Sequence, residues 1–200
     1  MSQSKVLYED EPQYTWHVLK GDVISDKIFI PCKNVKNYNG QTDISILDSL
    51  PKGRIWYHFN TEVFVDTPQN NIYNQLFMNK IQQKDFSLSV LTTSKTIMKY
   101  VNLLQSIRNV EVGVYFSSDA GQGNIFTQKL DTLRRLFYSN IYTIAYINIE
   151  GDITDALNLA ELLSGLCHTA YLYGSQHEMI RWIQRTFEEH NKTVFIFSNP

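Results

Sequence analysis

The chain has 200 residues and a net charge of −2, which suits one domain with a short addition and argues against a general polyanion binder. Hydrophobic residues make up 43% and aromatic residues 13%, enough for a substantial core. No run approaches the ~18 uninterrupted apolar residues of a membrane span, and the N-terminus has no apolar stretch of signal-peptide length, so a cytoplasmic or otherwise intracellular protein is expected.

Residues 1–13 are polar and acidic and read as a lead-in. Residues 1–26 form the N-terminal segment, with a short strand at Tyr14–Leu19, and residues 27–200 form an α/β domain. Lys27–Pro31 has the β-branched and aromatic residues of a first strand. The Asn- and Lys-rich stretch Cys32–Gln41 reads as a loop, with Asn39-Gly40 as its turn. Ile44–Leu50 reads as a short helix, ended by Pro51 and Gly53.

From Arg54 the pattern becomes regular. A strand is predicted over Arg54–Phe59, resuming at Glu62–Val65. Thr67-Pro68 has the form of an N-cap followed by proline in the first helical turn. The helix that follows runs to about Gln82, with Ile72, Leu76 and Ile81 as apolar positions. Strand Phe86–Thr92, helix Ser94–Arg108 and strand Val110–Ser117 come next. Helix Thr127–Tyr138 has Leu130, Leu133 and Phe137 facing the core. Strand Ile141–Ile149, helix Thr154–Leu166 and strand His168–Tyr173 follow. Helix Ser175–His190 has capping-box spacing at Ser175 and Glu178. Strand Thr193–Phe197 completes the pattern.

Six strands thus alternate with five helices, with no hairpin signal. Near-continuous apolar strands such as Tyr142–Ile149 belong in a mainly parallel sheet. Right-handed crossovers give either an open doubly wound sheet or a partial, TIM-like β/α barrel. The partial barrel is preferred.

Leu103–Ser118, a helix and then a strand ending in small polar residues, is followed by a second such unit at Lys129–Ile149. Together they resemble the later strand–helix units of radical S-adenosylmethionine enzymes, a likeness covering about residues 27–175. The resemblance implies a partial β/α barrel. That family holds its cluster on C-x-x-x-C-x-x-C after the first strand, where this chain offers only Cys32. With Cys167 the only other cysteine, no iron–sulfur cluster is expected. The family's cofactor motif would fall near Tyr57–Glu62, which keeps an acidic residue but lacks the glycines. The resemblance therefore implies a relative without the radical chemistry.

In such folds ligands bind at the carboxyl ends of the strands. That rule selects Asn60, Glu62 and Asp66, then Ser117, Ser118 and Asp119, then Asn148, Glu150 and Asp152, and finally Tyr173, Gly174 and Ser175. Strand alternation puts Tyr142, Tyr146 and Asn148 on one side, suited to a planar ligand if that side faces a cavity. The expected ligand-binding set is Asn60, Glu62, Ser117, Ser118, Asp119, Tyr146, Asn148 and Tyr173.

Asp119, Glu150 and Asp152 offer an alternative, a Mg²⁺ or Mn²⁺ site for phosphodiester chemistry. Against it stands the tendency of such residues to cap helices and start turns. Asp119-Ala-Gly-Gln-Gly-Asn could cradle an anion, although it matches no phosphate-loop motif. Cys167 and His168 are adjacent in a strand pattern and so point to opposite faces, which disfavours a nucleophile–base pair. Arg134, Arg135, Lys129 and Lys99 read as solvated surface. Three functions remain open: a nucleotide-like or planar-ligand binder or pseudo-enzyme, a metal-dependent phosphodiesterase or nuclease, and an interaction protein whose residues 1–50 contact a partner.

Overall fold

The computed structural model describes residues 12–16, 35–38, 43–57, 62–119 and 123–198. Among these residues eight strands form one sheet: β1 (Gln13–Trp16), β2 (Val35–Tyr38), β3 (Arg54–Tyr57), β4 (Ser87–Thr92), β5 (Val110–Ser117), β6 (Tyr142–Asn148), β7 (Thr169–Gly174) and β8 (Thr193–Ser198). Their spatial order is β2-β1-β3-β4-β5-β6-β7-β8, and every neighbouring pair is parallel. From β3 onward the spatial order is the chain order.

The connections are helical: α1 (Pro68–Lys84), a 3-10 turn Lys95–Tyr100 running into α2 (Val101–Ser106), α3 (Asn124–Tyr138), α4 (Ile153–Ser164) and α5 (His177–Glu189). Buried side chains from all five, including Phe77, Leu104, Leu133, Leu163 and Ile183, belong to one core with Ile55, Leu88, Val112, Ala145 and Ala170 of the strands. The alternate strand residues Trp56, Leu91, Ile144, Tyr146, Tyr171 and Tyr173 form a separate cluster. Side chains two apart share a face, so all five helices pack on one face of the sheet. A doubly wound sheet has helices on both. The sheet does not close, because β2 and β8 are its two ends. An unclosed parallel sheet of this kind fits a partial barrel or an open sheet, and the face away from the helices, its inner face, is largely aromatic. Among the described residues no helix is long and apolar enough to cross a membrane.

The strand–helix alternation matches expectation, and several boundaries and faces do not. Val35–Tyr38, expected within a loop, pairs with β1. Lys27–Pro31, Asn39-Gly40 and the 26/27 boundary lie outside the described residues. Glu62–Val65 does not continue β3 as a strand. Side chains satisfy its backbone instead: Asn74 Nδ2 donates to the Val63 carbonyl at 3.0 Å, and Glu62 Oε1 accepts from the Phe64 N–H at 2.8 Å.

Thr67 caps α1 with Pro68 at its first turn, as expected, and accepts from the Asn70 N–H at 3.2 Å. Of the apolar positions named on α1, only Ile81 is buried. Ile72 and Leu76 are 64% and 55% exposed, while Asn74, Phe77, Met78 and Ile81 are buried. Larger contacts set the phase. Phe77 stacks on Tyr57 at 4.3 Å and meets Trp16 at 5.2 Å, and the Tyr57 hydroxyl donates to Asn74 Oδ1 at 2.5 Å.

On α3 Leu136 takes the fully buried place expected for Phe137, which packs half-buried against His168. The capping box at α5 does not form. The cap position is Gln176, one residue beyond Ser175, and no side chain caps the helix.

Candidate functional site

Parallel pairing aligns the inner face into rows. Tyr115, Tyr146, Tyr171 and Phe195 are successive partners across β5, β6, β7 and β8, and Ser117, Asn148, Tyr173 and Phe197 form the next row toward the carboxyl ends. The rings stack along these rows. Tyr146 and Tyr171 lie 4.8 Å apart at 6°, and Tyr171 lies 5.0 Å from Phe195 and 5.2 Å from Phe197. Tyr115 and Tyr173 stack diagonally at 6.2 Å.

The loops above these rows are drawn together. Ser118 Oγ donates to the Glu150 carbonyl and accepts from the Glu150 N–H, and the Ser118 N–H donates to the Asn148 carbonyl at 3.0 Å. The Ser117 hydroxyl donates to Asp119 Oδ1. The Ile149 N–H reaches the Tyr173 carbonyl at 2.8 Å. Gly174, at φ 151°, presses against the Ile149 carbonyl where any Cβ would collide, which is why glycine stands there. Ser117, Ser118, Asp119, Asn148, Glu150 and Tyr173 therefore gather at the carboxyl ends of three adjacent strands.

Beside them lies a cavity of about 440 Å³ lined by Phe116, Ser117, Gly123, Asn124, Phe126 and Lys129, among others, within the size range of small-molecule pockets. Its floor includes the first turn of α3, whose cap Gly123 supplies no side-chain hydrogen bond. Among the described residues no side chain caps the N–H groups there, and the helix dipole favours an anion. Lys129 is half-buried with its Nζ 5.3 Å from the centre of the Tyr115 ring. No carboxylate among the described residues pairs with it. Burial holds its pKa below the ordinary lysine value, opposed by the charge of Glu62.

Asn148 is the most unusual member. It is 4% exposed, and its Oδ1 is buried with no hydrogen-bond partner among the described residues. A buried amide oxygen left unpaired costs about 1–3 kcal/mol, and most buried polar atoms avoid it.

Other expected site residues have different work. Glu62 is buried and fully engaged, accepting from Thr92 Oγ1, from the Thr93 N–H and hydroxyl and from the Phe64 N–H. It ties the segment after β3 to the end of β4 and has no capacity left for a ligand. Tyr146 stacks on Tyr171 and is not among the residues that line the cavity. Asp66 is exposed and pairs with Lys99 at 2.5 Å. Asn60 lies outside the described residues, as do residues 120–122 of the glycine-bearing loop.

The metal alternative loses its ligand set. Among the described residues no group of three or more His, Cys, Asp or Glu is placed to hold a metal ion. Asp152 is the N-cap of α4, accepting from the Thr154 N–H at 2.7 Å, and Asp119 is turned to Ser117.

Comparison with protein-family models, curated proteins and solved structures gives no match.

Cys167 sits in the helix-side core, where burial pushes its thiol up to about 12. His168 is held between the rings of Phe137 and Tyr142. They form no catalytic pair. Sequence reasoning takes Lys129 as solvated surface and does not single out Tyr115, whereas the anion-cradle motif Asp119-Ala-Gly-Gln-Gly-Asn already contains Gly123. One signal was available. Lys129 lies in the second turn of the helix that follows the loop after β5, and alternation along β5 puts Tyr115 on the side of Ser117.

Proposed function

We propose that the protein binds a planar, anionic small molecule of nucleotide kind at the carboxyl ends of β5, β6 and β7, as a binding protein or pseudo-enzyme without radical chemistry. The observation that carries this reading is the unpartnered Asn148 Oδ1. An amide kept buried without a partner at a strand end is suited to read a polar edge of a ligand, because the ligand then relieves a cost already present. Tyr173, next to it in the row, is buried and stacks on Tyr115, so the amide sits against an aromatic wall. The α3 N-terminus and Lys129 offer positive potential for an anionic group.

The reading also treats the scaffold as a cluster-less relative of the radical S-adenosylmethionine barrels. Its support is the one-sided strand–helix order and the single cysteine in the loop expected to hold the cluster. The phosphodiesterase alternative has no comparable support, since Asp152 caps α4, Asp119 accepts from Ser117, and no three such groups among the described residues are placed to hold a metal ion.

Isothermal titration with AMP, flavin mononucleotide, S-adenosylmethionine and inorganic phosphate tests the reading. At least one nucleotide is expected to bind, phosphate alone more weakly. Lys129→Met should weaken nucleotide binding at least tenfold, and Asn148→Leu should abolish it. Heat changes at the dilution baseline for all four probes would sink the reading, as would binding that both substitutions leave unchanged.

A further inference from the structure

The outer edge of β8 is unlike the rest of the molecule. Among the described residues β8 pairs only with β7 and ends the sheet. Its sequence is Thr-Val-Phe-Ile-Phe-Ser, six residues with no charge and no proline. Edge strands present a row of unpaired backbone N–H and C=O groups, and proteins that keep such an edge single guard it with lysine, proline or a bulge. The opposite edge strand, β2, carries Lys36 in its sequence. β8 carries no such guard. Ile196 is 40% exposed. Phe195 and Phe197 are only half-buried, although the ring stack that buries Tyr146 and Tyr171 continues onto them.

We propose that β8 pairs antiparallel with β8 of a second copy of this chain, so that the protein is a homodimer with a continuous sheet. An edge that no described strand pairs with calls for another strand, and the side chains say which. A two-fold axis at Ile196 sets Ile196 against Ile196 of the second copy and Phe195 against Phe197. Directly opposed residues in an antiparallel pair share a face. This register therefore joins aromatic face to aromatic face and leaves both helix layers on the same side. With no charge along the strand, self-pairing opposes no like charges, and the patch is complementary to itself as an isologous contact requires. One strand pair lies at the low end of stable interfaces, so the dimer dissociates on dilution. The exposed pair Ile72 and Leu76 on α1 is the competing apolar surface. It offers no backbone groups, and nothing about it selects a partner.

Sedimentation equilibrium over a wide concentration range tests the proposal. The mass is expected to rise from 23.3 kDa toward twice that value. Ile196→Lys should hold the protein at the monomer mass with an unchanged circular dichroism spectrum, while Ile72→Lys should leave the dimer intact. In a Cys32→Ser background, Ile196→Cys should give a disulfide-linked dimer under mild oxidation, a readout that does not depend on the lysine variant folding. A monomer mass at every concentration overturns the proposal. So does a dimer that Ile72→Lys dissociates, or one that yields no cross-link through Ile196→Cys.

Discussion

The ring of Tyr146 rests on Gly113, filling the space where a Cβ would stand. The two are diagonal neighbours on β6 and β5, since Gly113 pairs with Ile144 and Tyr146 with Tyr115. Tyr146 has no room to withdraw, because its other side stacks on Tyr171 at 6°. Gly113→Ala should therefore destabilise the fold by about 1–3 kcal/mol, the usual cost of overpacking. Urea denaturation would read this as a lower midpoint at unchanged slope. An unchanged midpoint would mean the ring is not held there.

Near the amino ends of the strands the inner face is closed by charge. Arg54 Nη1 and Glu111 Oε1 are 3.4 Å apart, both almost fully buried, and Ser89 Oγ bridges them at 2.8 and 2.5 Å. Removing one partner leaves the other charge buried, which typically costs ~3–5 kcal/mol. Arg54→Met and Glu111→Leu should each destabilise on that scale. The double variant should cost less than the sum, and a double-mutant cycle measures the difference. Strict additivity would show that the pair is not coupled.

His168 gives a pH dependence. Burial, then the charge of Lys192, holds its pKa below the ordinary value of 6.5. Its Nδ1 accepts from the Thr143 N–H at 3.0 Å, a bond that protonation at Nδ1 would destroy. The unfolded chain takes up the proton near the ordinary value and the folded chain only at lower pH. The stability this residue provides is complete above the unfolded pKa, declines as pH falls below it, and is gone below the folded pKa. His168→Phe should flatten the melting-temperature profile in that window. A variant profile parallel to the wild type would remove His168 as the cause.

Cys167 is fully buried with its thiol pushed up to about 12, so almost no thiolate exists at neutral pH and no reagent reaches it. In a Cys32→Ser variant, thiol labelling should be negligible in the native protein and stoichiometric in denaturant. Fast native labelling would show that the core around α4 and β7 opens readily.

The fold was largely legible in the sequence because strand–helix alternation is a local signal. Apolar runs such as Tyr142–Ile149 need burial on both faces, and Thr67-Pro68 marks a helix start whatever lies around it. Helix phase was less legible. The burial of Asn74 in place of Ile72 depends on Tyr57 and Trp16, which are far away in sequence. The site was legible by rule and not by residue. The strand-end rule found Ser117, Asn148 and Tyr173, yet it also selected Glu62, whose four donors come from β4 and its own loop. It missed Lys129, because whether a lysine near a helix start is buried depends on the strand beneath it. No spacing in the chain marks Asn148 as unpartnered, since a missing hydrogen bond is a property of the packed state.

Asn148→Leu separates stability from function. Leucine is close to asparagine in size and has no polar atom to satisfy, so it removes the cost of the unpaired Oδ1. Its neighbours in the row, Ser117 and Tyr173, bond through groups that do not involve the Asn148 side chain. The variant should be more stable than the wild type by about 1 kcal/mol, seen as a raised melting temperature, while losing nucleotide binding. A site that accepts a stability cost to keep a recognition group behaves this way. If Asn148→Leu instead lowers the melting temperature, the asparagine is a structural residue, and the binding site must be sought elsewhere on the strand ends.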